Sequence, residues 1–343
     1  MQLTQLINNH LEDIEQLIII PHLSLHQIPF SALIIEEEGQ KTLLGDKYRL
    51  RYLPSLQILK YCTDRIGKRH STDQENWGTI ENATNDLPCA IFEGENVARI
   101  NKISQANRLQ KQEKATVENA LTLMKKISKI HLAHHAKANL SSPLESILLL
   151  GNGTITLGQI MSPGFRLKDL LEVIISCCES ALGDAKINDE IITLGAGFLC
   201  AGANTVISTL WRVDDLATSL FMIFYSNERD SGLPHDISLQ KAQQTMRELT
   251  GNELKRKFYA PLYDHLDREY DQADDLMEKA QKERDKFTEY QPEYKEENEK
   301  FKNYKKLTGR IYQIQKLLEK YSEEKNPFAD NYFWAGFICQ GLN

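Results

Sequence analysis

Along the chain the apolar positions gather into six short runs: "QLIII" (16–20), "YRLRYLP" (48–54), "PCAIF" (88–92), "KIHLAH" (129–134), "EVIISC" (172–177) and "NTVISTLW" (204–211). Several are too continuous for a strand with one wet face, and they predict parallel strands covered on both sides. Between them lie stretches of helical period, such as "EKATVENALTLMKKIS" (113–128) and "NDEIITLGAGFLCAGA" (188–203). Strand, helix, strand in series predicts an α/β layer fold around a parallel sheet.

The segment from about 262 to 321 differs in kind. Leu262, Leu266, Tyr270, Ala273, Met277, Ala280 and Phe287 are spaced mostly by four and three, and Phe301, Tyr304, Tyr312, Leu318 and Tyr321 make a rougher second series. Pro292, between the two, stops or kinks a helix. The spacing predicts two long charged helices folded back as a hairpin over 255–325. Such a hairpin is either a solvated, coiled-coil-like insertion or a surface for a partner. "NPFADNYFWAGFICQG" (326–341) then returns to strand-like composition, so the hairpin is expected to interrupt a single domain over 1–343.

Composition narrows the classes. A formal charge of −7 on 343 residues gives no surface made for a phosphate backbone, so no direct nucleic-acid ligand is expected. The first residues, "MQLTQLINNHLEDIEQLIII", carry acids and too short an apolar stretch for a leader or a span, which predicts a cytoplasmic protein without membrane contact. The six cysteines show no repeated CxxC spacing and read as reduced thiols, most of them in the core.

Ligands of open α/β sheets sit beyond the carboxyl ends of the strands. Two strands carry reactive side chains there: "KIHLAHHAKANL", with His131, His134 and His135, and "EVIISCCES", with Cys177 and Cys178. Adjacent strand residues point to opposite faces, so Cys177 and Cys178 cannot serve one site together. Cys178, before the polar "ESALGD", is at the exposed tip, and Cys177 is packing. By the same logic His135, followed by the small Ala136, is the better base for a thiol, and His131 the better buried residue. The residue pattern leaves two alternatives open: plain packing, and a metal held by Cys178 with two of the histidines.

Several of these stretches together resemble the CHAT domain, a caspase-like cysteine peptidase family of clan CD related to caspases and separase. "LIIIPHLSLHQIPFSAL" is similar to the family's opening strand and its P-x-x-x-L-H-x-x-P-F-x-A-L motif, "YRLRYLPSLQIL" to its tyrosine and PS segment, "IHLAHHA" to H-F-A-C-H-G and "IISCCES" to L-S-A-C-E-T. "NDEIITLGAGFLCAGANTVISTLWRVDDLAT" resembles its long D-E to V-D-D-x-A-T motif, and "YFWAGFICQG" its closing Y-W-A-x-F-x-L-x-G. The resemblance implies a three-layer α/β/α caspase-like fold with a mostly parallel central sheet, carrying the inserted long α-helical hairpin. It implies a cysteine endopeptidase that cleaves a protein substrate through a thioacyl-enzyme, with Cys178 as nucleophile, His135 as general base and acid, and no cofactor or metal. Backbone N–H groups of Ala136 and Cys178 would hold the oxyanion. The family usually has glycine after the histidine; if that position needs a positive φ, Ala136 costs on the order of 1 kcal/mol. Glu179, Trp211, Asp214 and Asp215 are the expected substrate-binding residues, an aspartate receiving a basic side chain, unless Asp215 caps the helix that follows and Asp214 is surface. Relatives switched by partners point to a regulatory protein or ribonucleoprotein contact through the hairpin. The alternative is an inactive pseudopeptidase serving as an interaction module.

Overall fold

The computed structural model describes residues 11, 13–37, 39–66, 76–139, 141–167, 169–176 and 193–342. The chain divides into two compact units, Met1–Arg247 with Phe328–Asn343, and Glu248–Pro327.

In the first unit the strands are β1 (Gln16–Ile19), β2 (Ile34–Glu37), β3 (Gln40–Leu43), β4 (Arg49–Tyr52), β5 (Trp77–Glu81), β6 (Arg108–Gln110), β7 (Lys129–Ala133), β8 (Ala136–Lys137), β9 (Ile147–Leu150), β10 (Gly153–Thr156), β11 (Glu172–Ile175), β12 (Thr205–Thr209) and β13 (Phe337–Gly341). Eight form the main sheet, in the order β1-β4-β13-β12-β11-β7-β5-β6. Every neighbouring pair is parallel except β12 with β13. Strands β7, β11 and β12 are buried at every position, as a sheet covered on both faces requires.

The helices that cover it are α1 (Leu56–Ile66), α2 (Pro88–Ile100), α3 (Val117–Met124), α4 (Leu194–Ala201), α5 (Asp215–Asp230) and α6 (His235–Glu248). Alternation divides the central strands between two layers. Ile130, Leu132, Val173, Ile175 and Val206 pack with Leu123 and Met124 of α3 and Phe198 and Leu199 of α4. On the opposite face Ala133 packs with Leu87 and Ala90, and His131 meets Glu93, the last two partners lying on α2. Helix, sheet, helix is the expected architecture.

One run departs from expectation. "PCAIF" is the start of α2 and not a strand. Pro88 takes the first helical turn, where its missing N–H costs nothing, and a helix buried from Pro88 to Gly94 shows no polar stripe to betray its period. The strand in that region is instead β5, whose Thr79 and Glu81 are fully buried. Arg108 donates to both Glu81 oxygens, Nε to Oε1 at 2.9 Å and Nη2 to Oε2 at 2.8 Å, and Gln110 adds a third bond at 3.0 Å. Helix α2 can lie on this carboxylate because residue 94 is glycine; a Cβ there would stand 2.2 Å from Glu81 Cδ.

The second unit is built on α7 (Ala260–Arg284) and α8 (Pro292–Glu323). Pro292 begins α8 and does not kink it. The helices run antiparallel: Lys255 Nζ meets Glu323 at 2.6 Å at one end, and Arg284 lies 4.7 Å from the Phe301 ring centroid at the other. Leu262, Leu266, Ala273, Ala280, Ile311, Ile314 and Leu318 fill the seam, each buried. Outside it, exposed i,i+4 pairs such as Lys300 with Glu296 line the solvated surface, where water and salt screen them.

Candidate active site

The carboxyl ends of β5, β7, β11 and β12 lie side by side along one edge of the main sheet. From β7 the chain leaves through His134, His135 and Ala136. His131, inside the strand, is fully buried with Nε2 2.6 Å from Glu93 Oε1. His134 is buried on the other face, its Nδ1–H donating to the His135 carbonyl at 3.1 Å. Burial drives its pKa down to about 4, so it is neutral at ordinary pH. His135 alone of the three reaches solvent, with its side chain 25% exposed. Alternation sends its neighbour away, so the three rings do not converge on one point. Among the described residues no group of three or more His, Cys, Asp and Glu side chains has a metal-holding arrangement.

His135 Nε2 lies 2.9 and 3.0 Å from the two carboxylate oxygens of Asp86. An N–H at Nε2 donates to that carboxylate and leaves the Nδ1 lone pair as the base. Asp86 is set by the turn after β5. Asn82 and Asn85 take φ of 47° and 59°, values that asparagine tolerates. Asn82 N–H donates to the Ala133 carbonyl at 2.8 Å, its Oδ1 accepts Leu87 N–H at 2.9 Å, and Thr84 Oγ1 donates to Asp86. Sequence reasoning passed over Asp86. Its signal was "NATNDLP", an asparagine-rich turn ending in an acid, but the strand before it was not recognised, so the turn had no place on the sheet edge.

Ala136 opens β8, paired with Leu148 of β9. Leu149 N–H donates to the His135 carbonyl at 2.9 Å, which makes Ala136 and Leu148 a non-hydrogen-bonded pair and directs Ala136 N–H away from β9. Among the described residues a positive φ outside glycine occurs only at Asp13, Asn82, Asn85, Lys102 and Lys111. Ala136 therefore carries none of the left-handed strain that a glycine position would impose.

Strand β11 runs beside β7, Ile175 pairing with Leu132, and Ser176 N–H donates to the Leu132 carbonyl at 3.0 Å. Cys177, Cys178 and Glu179 follow and lie outside the described residues.

Beyond β12 come Trp211, Asp214 and Asp215. Trp211 Nε1–H donates to the Tyr332 carbonyl at 3.0 Å, and its indole lies on Gly336, where a Cβ would come within 2.8 Å of the ring. Asp214, one residue before the expected cap, is the N-cap of α5: its Oδ1 accepts Ala217 N–H at 2.7 Å. Burial pushes its carboxyl above the ordinary aspartate range against the pull of that N–H. Asp215 Oδ2 accepts the Cys89 N–H at 3.0 Å, so it serves the start of α2.

A model of the CHAT domain family matches residues 1–342. Two crystal structures of the Saccharomyces cerevisiae separase–securin complex also match, at 18% and 17% identity with TM-scores of 0.47 and 0.45. Each match covers 64% of this chain and 14% of the solved chain, so this chain spans a small part of the length of those it resembles. No curated protein matches it. The family model covers nearly the whole chain: the chain belongs to the CHAT domain family.

Proposed function

We propose that the protein is a cysteine endopeptidase acting through Cys178 and His135. The observation that carries this reading is the His135–Asp86 pair at the solvent-facing end of β7. Cys178 follows Ile175 by the same three residues that separate His135 from Leu132, the partner of Ile175 in the adjacent strand. In this reading His135 Nδ1 takes the Cys178 thiol proton, and the thiolate adds to the carbonyl carbon of the scissile bond. The resulting oxyanion accepts from the N–H groups of Ala136 and Cys178. The imidazolium, stabilised by Asp86, then protonates the leaving amine, and water releases the acyl group with His135 again as base.

The substrate in this reading is a protein, with Glu179 and Trp211 beside the reacting bond. A regulatory protein or ribonucleoprotein would meet the paired helices α7 and α8. An Ala136 without positive φ can offer its N–H to an oxyanion without left-handed strain, which supports the peptidase reading beside the alternative of an inactive interaction module.

The test is cleavage of a proteome-derived peptide mixture, with labelling by a peptidyl acyloxymethyl ketone in parallel. Wild type is expected to cleave and to be labelled, and Cys178→Ala and His135→Ala are each expected to lose cleavage. Cleavage or labelling that survives Cys178→Ala sinks the assignment.

A further inference from the structure

We propose that Arg212 is a specificity-determining residue that receives an acidic side chain of the substrate beside the scissile bond; the inference rests on the peptidase reading. The segment "WRVDD" (211–215) leaves the carboxyl end of β12, next to β11. At the strand spacing of about 4.8 Å, β12 is roughly 10 Å from β7 across the sheet. The two aspartates, one of which was expected from sequence to receive a basic side chain unless Asp215 capped the next helix, both accept from helix N-termini, Asp214 at α5 and Asp215 at α2. The charge that faces solvent in this segment has the opposite sign. Arg212 is exposed and, among the described residues, has no ion pair or hydrogen bond.

Its backbone is fixed on both sides. Trp211 is held by the Tyr332 carbonyl and by Gly336, and Val213 is buried. Asp215 ties the segment to Cys89, three residues beyond the Asp86 that orients His135. A guanidinium carried on this anchored backbone at the same sheet edge can match a carboxylate by charge-assisted, two-pronged hydrogen bonds. Lys137, exposed and two residues past His135, adds to the positive potential there on a chain whose net charge is −7. Local positive charge on an acidic protein steers acidic segments to this edge.

The test uses the full chain and a peptide library with one residue fixed in turn as Asp, Glu, Lys, Arg, Leu or Ala. Cleavage by wild type is expected to favour Asp and Glu at one position by roughly ten- to a hundredfold, the range for a hydrogen-bonded charge. Arg212→Gln should flatten that preference chiefly through KM, and Arg212→Glu should turn it toward Lys and Arg. Cleavage that depends on Cys178 but is indifferent to acid, or unchanged in Arg212→Glu, overturns the role of Arg212 alone. Binding of the Asp-fixed and Lys-fixed pools to Cys178→Ala, with and without Arg212→Glu, is measured by fluorescence anisotropy and needs no turnover. A preference for acidic peptides that Arg212→Glu abolishes supports the role even if nothing is cleaved, a result that would count against the peptidase reading only. Equal binding of both pools overturns it.

Discussion

At the scale of single residues, Asp86 is what, in the proposed mechanism, separates a histidine that happens to sit on a strand end from one prepared to act. A lone imidazole at the edge of a sheet turns freely, whereas one whose Nε2 lies within 3.0 Å of both oxygens of a carboxylate has its tautomer and ring plane chosen before a thiol approaches. Asp86→Asn keeps the shape and removes the charge that stabilises the imidazolium. It is expected to lower kcat by about ten- to a hundredfold with KM little changed, read from progress curves on one cleaved peptide. An unchanged kcat would reduce Asp86 to a surface partner. His131 shows the contrast: its Nε2 also meets a carboxylate, but both groups are buried between β7 and α2.

At the scale of elements, the parts legible in the sequence were those whose burial and period agree. "KIHLAH", "EVIISC" and "NTVISTLW" became β7, β11 and β12 because strands buried on both faces read as continuous apolar runs. The same rule misread "PCAIF", since a helix sandwiched between a sheet and α5 is equally continuous, and it missed β5, whose buried polar residues are satisfied by Arg108 and Gln110. Of the candidate site, alternation singled out His135, whose ring the structure sets beside Asp86; Asp86 itself was passed over because it comes from a turn whose flanking strand went unrecognised. The place of the α-helix cap moved by one residue, from Asp215 to Asp214, since either aspartate fits an N-cap by type and only the backbone decides. The insertion of α7 and α8 carries its own expectation. Gly251 N–H donates to the Glu324 carbonyl at 3.1 Å, so the chain enters and leaves the helical pair at nearly one point. Replacing residues 252–323 by a short Gly-Ser turn is expected to leave cooperative melting, with a shift of a few degrees, about the effect of 1 kcal/mol in a domain of this size. Aggregation or a broad, non-cooperative melt would show that the rest of the chain depends on the pair.

At the scale of the whole molecule, two buried groups set the response to acid. Burial keeps His134 neutral with a pKa of about 4, below the 6.5 or so of the unfolded chain. The unfolded state therefore binds the extra proton as pH falls from about 6.5 to 4, and stability declines by about 3 kcal/mol across that window. Glu172 acts lower. Burial alone would raise its pKa, but His235, Arg229 and Lys129, at 3.4, 3.7 and 3.8 Å, outweigh that and hold it at about 2. Its stabilising contribution is complete above the unfolded value of about 4.3 and is lost as pH falls toward 2. Urea midpoints measured at pH 7, 5.5 and 4 are expected to fall steadily, and His134→Gln is expected to flatten the upper part of that decline. A midpoint constant from pH 7 to 4.5 in the wild type would contradict the buried neutral imidazole.

The position of β13 gives the molecule an order of assembly. This strand is inserted between β4 and β12 and is the partner that joins the two halves of the sheet. Thr205 Oγ1 donates to the Leu342 carbonyl across 137 positions of chain, so the seam closes only after a long loop has been paid for in entropy. On the ribosome the strands near His135 can pair with one another long before β13 emerges, while β12 and β4 wait with unpaired edges. A nascent chain stalled before residue 337 thus presents two raw strand edges, and the time taken to translate α7 and α8 is the time for which those edges need protection.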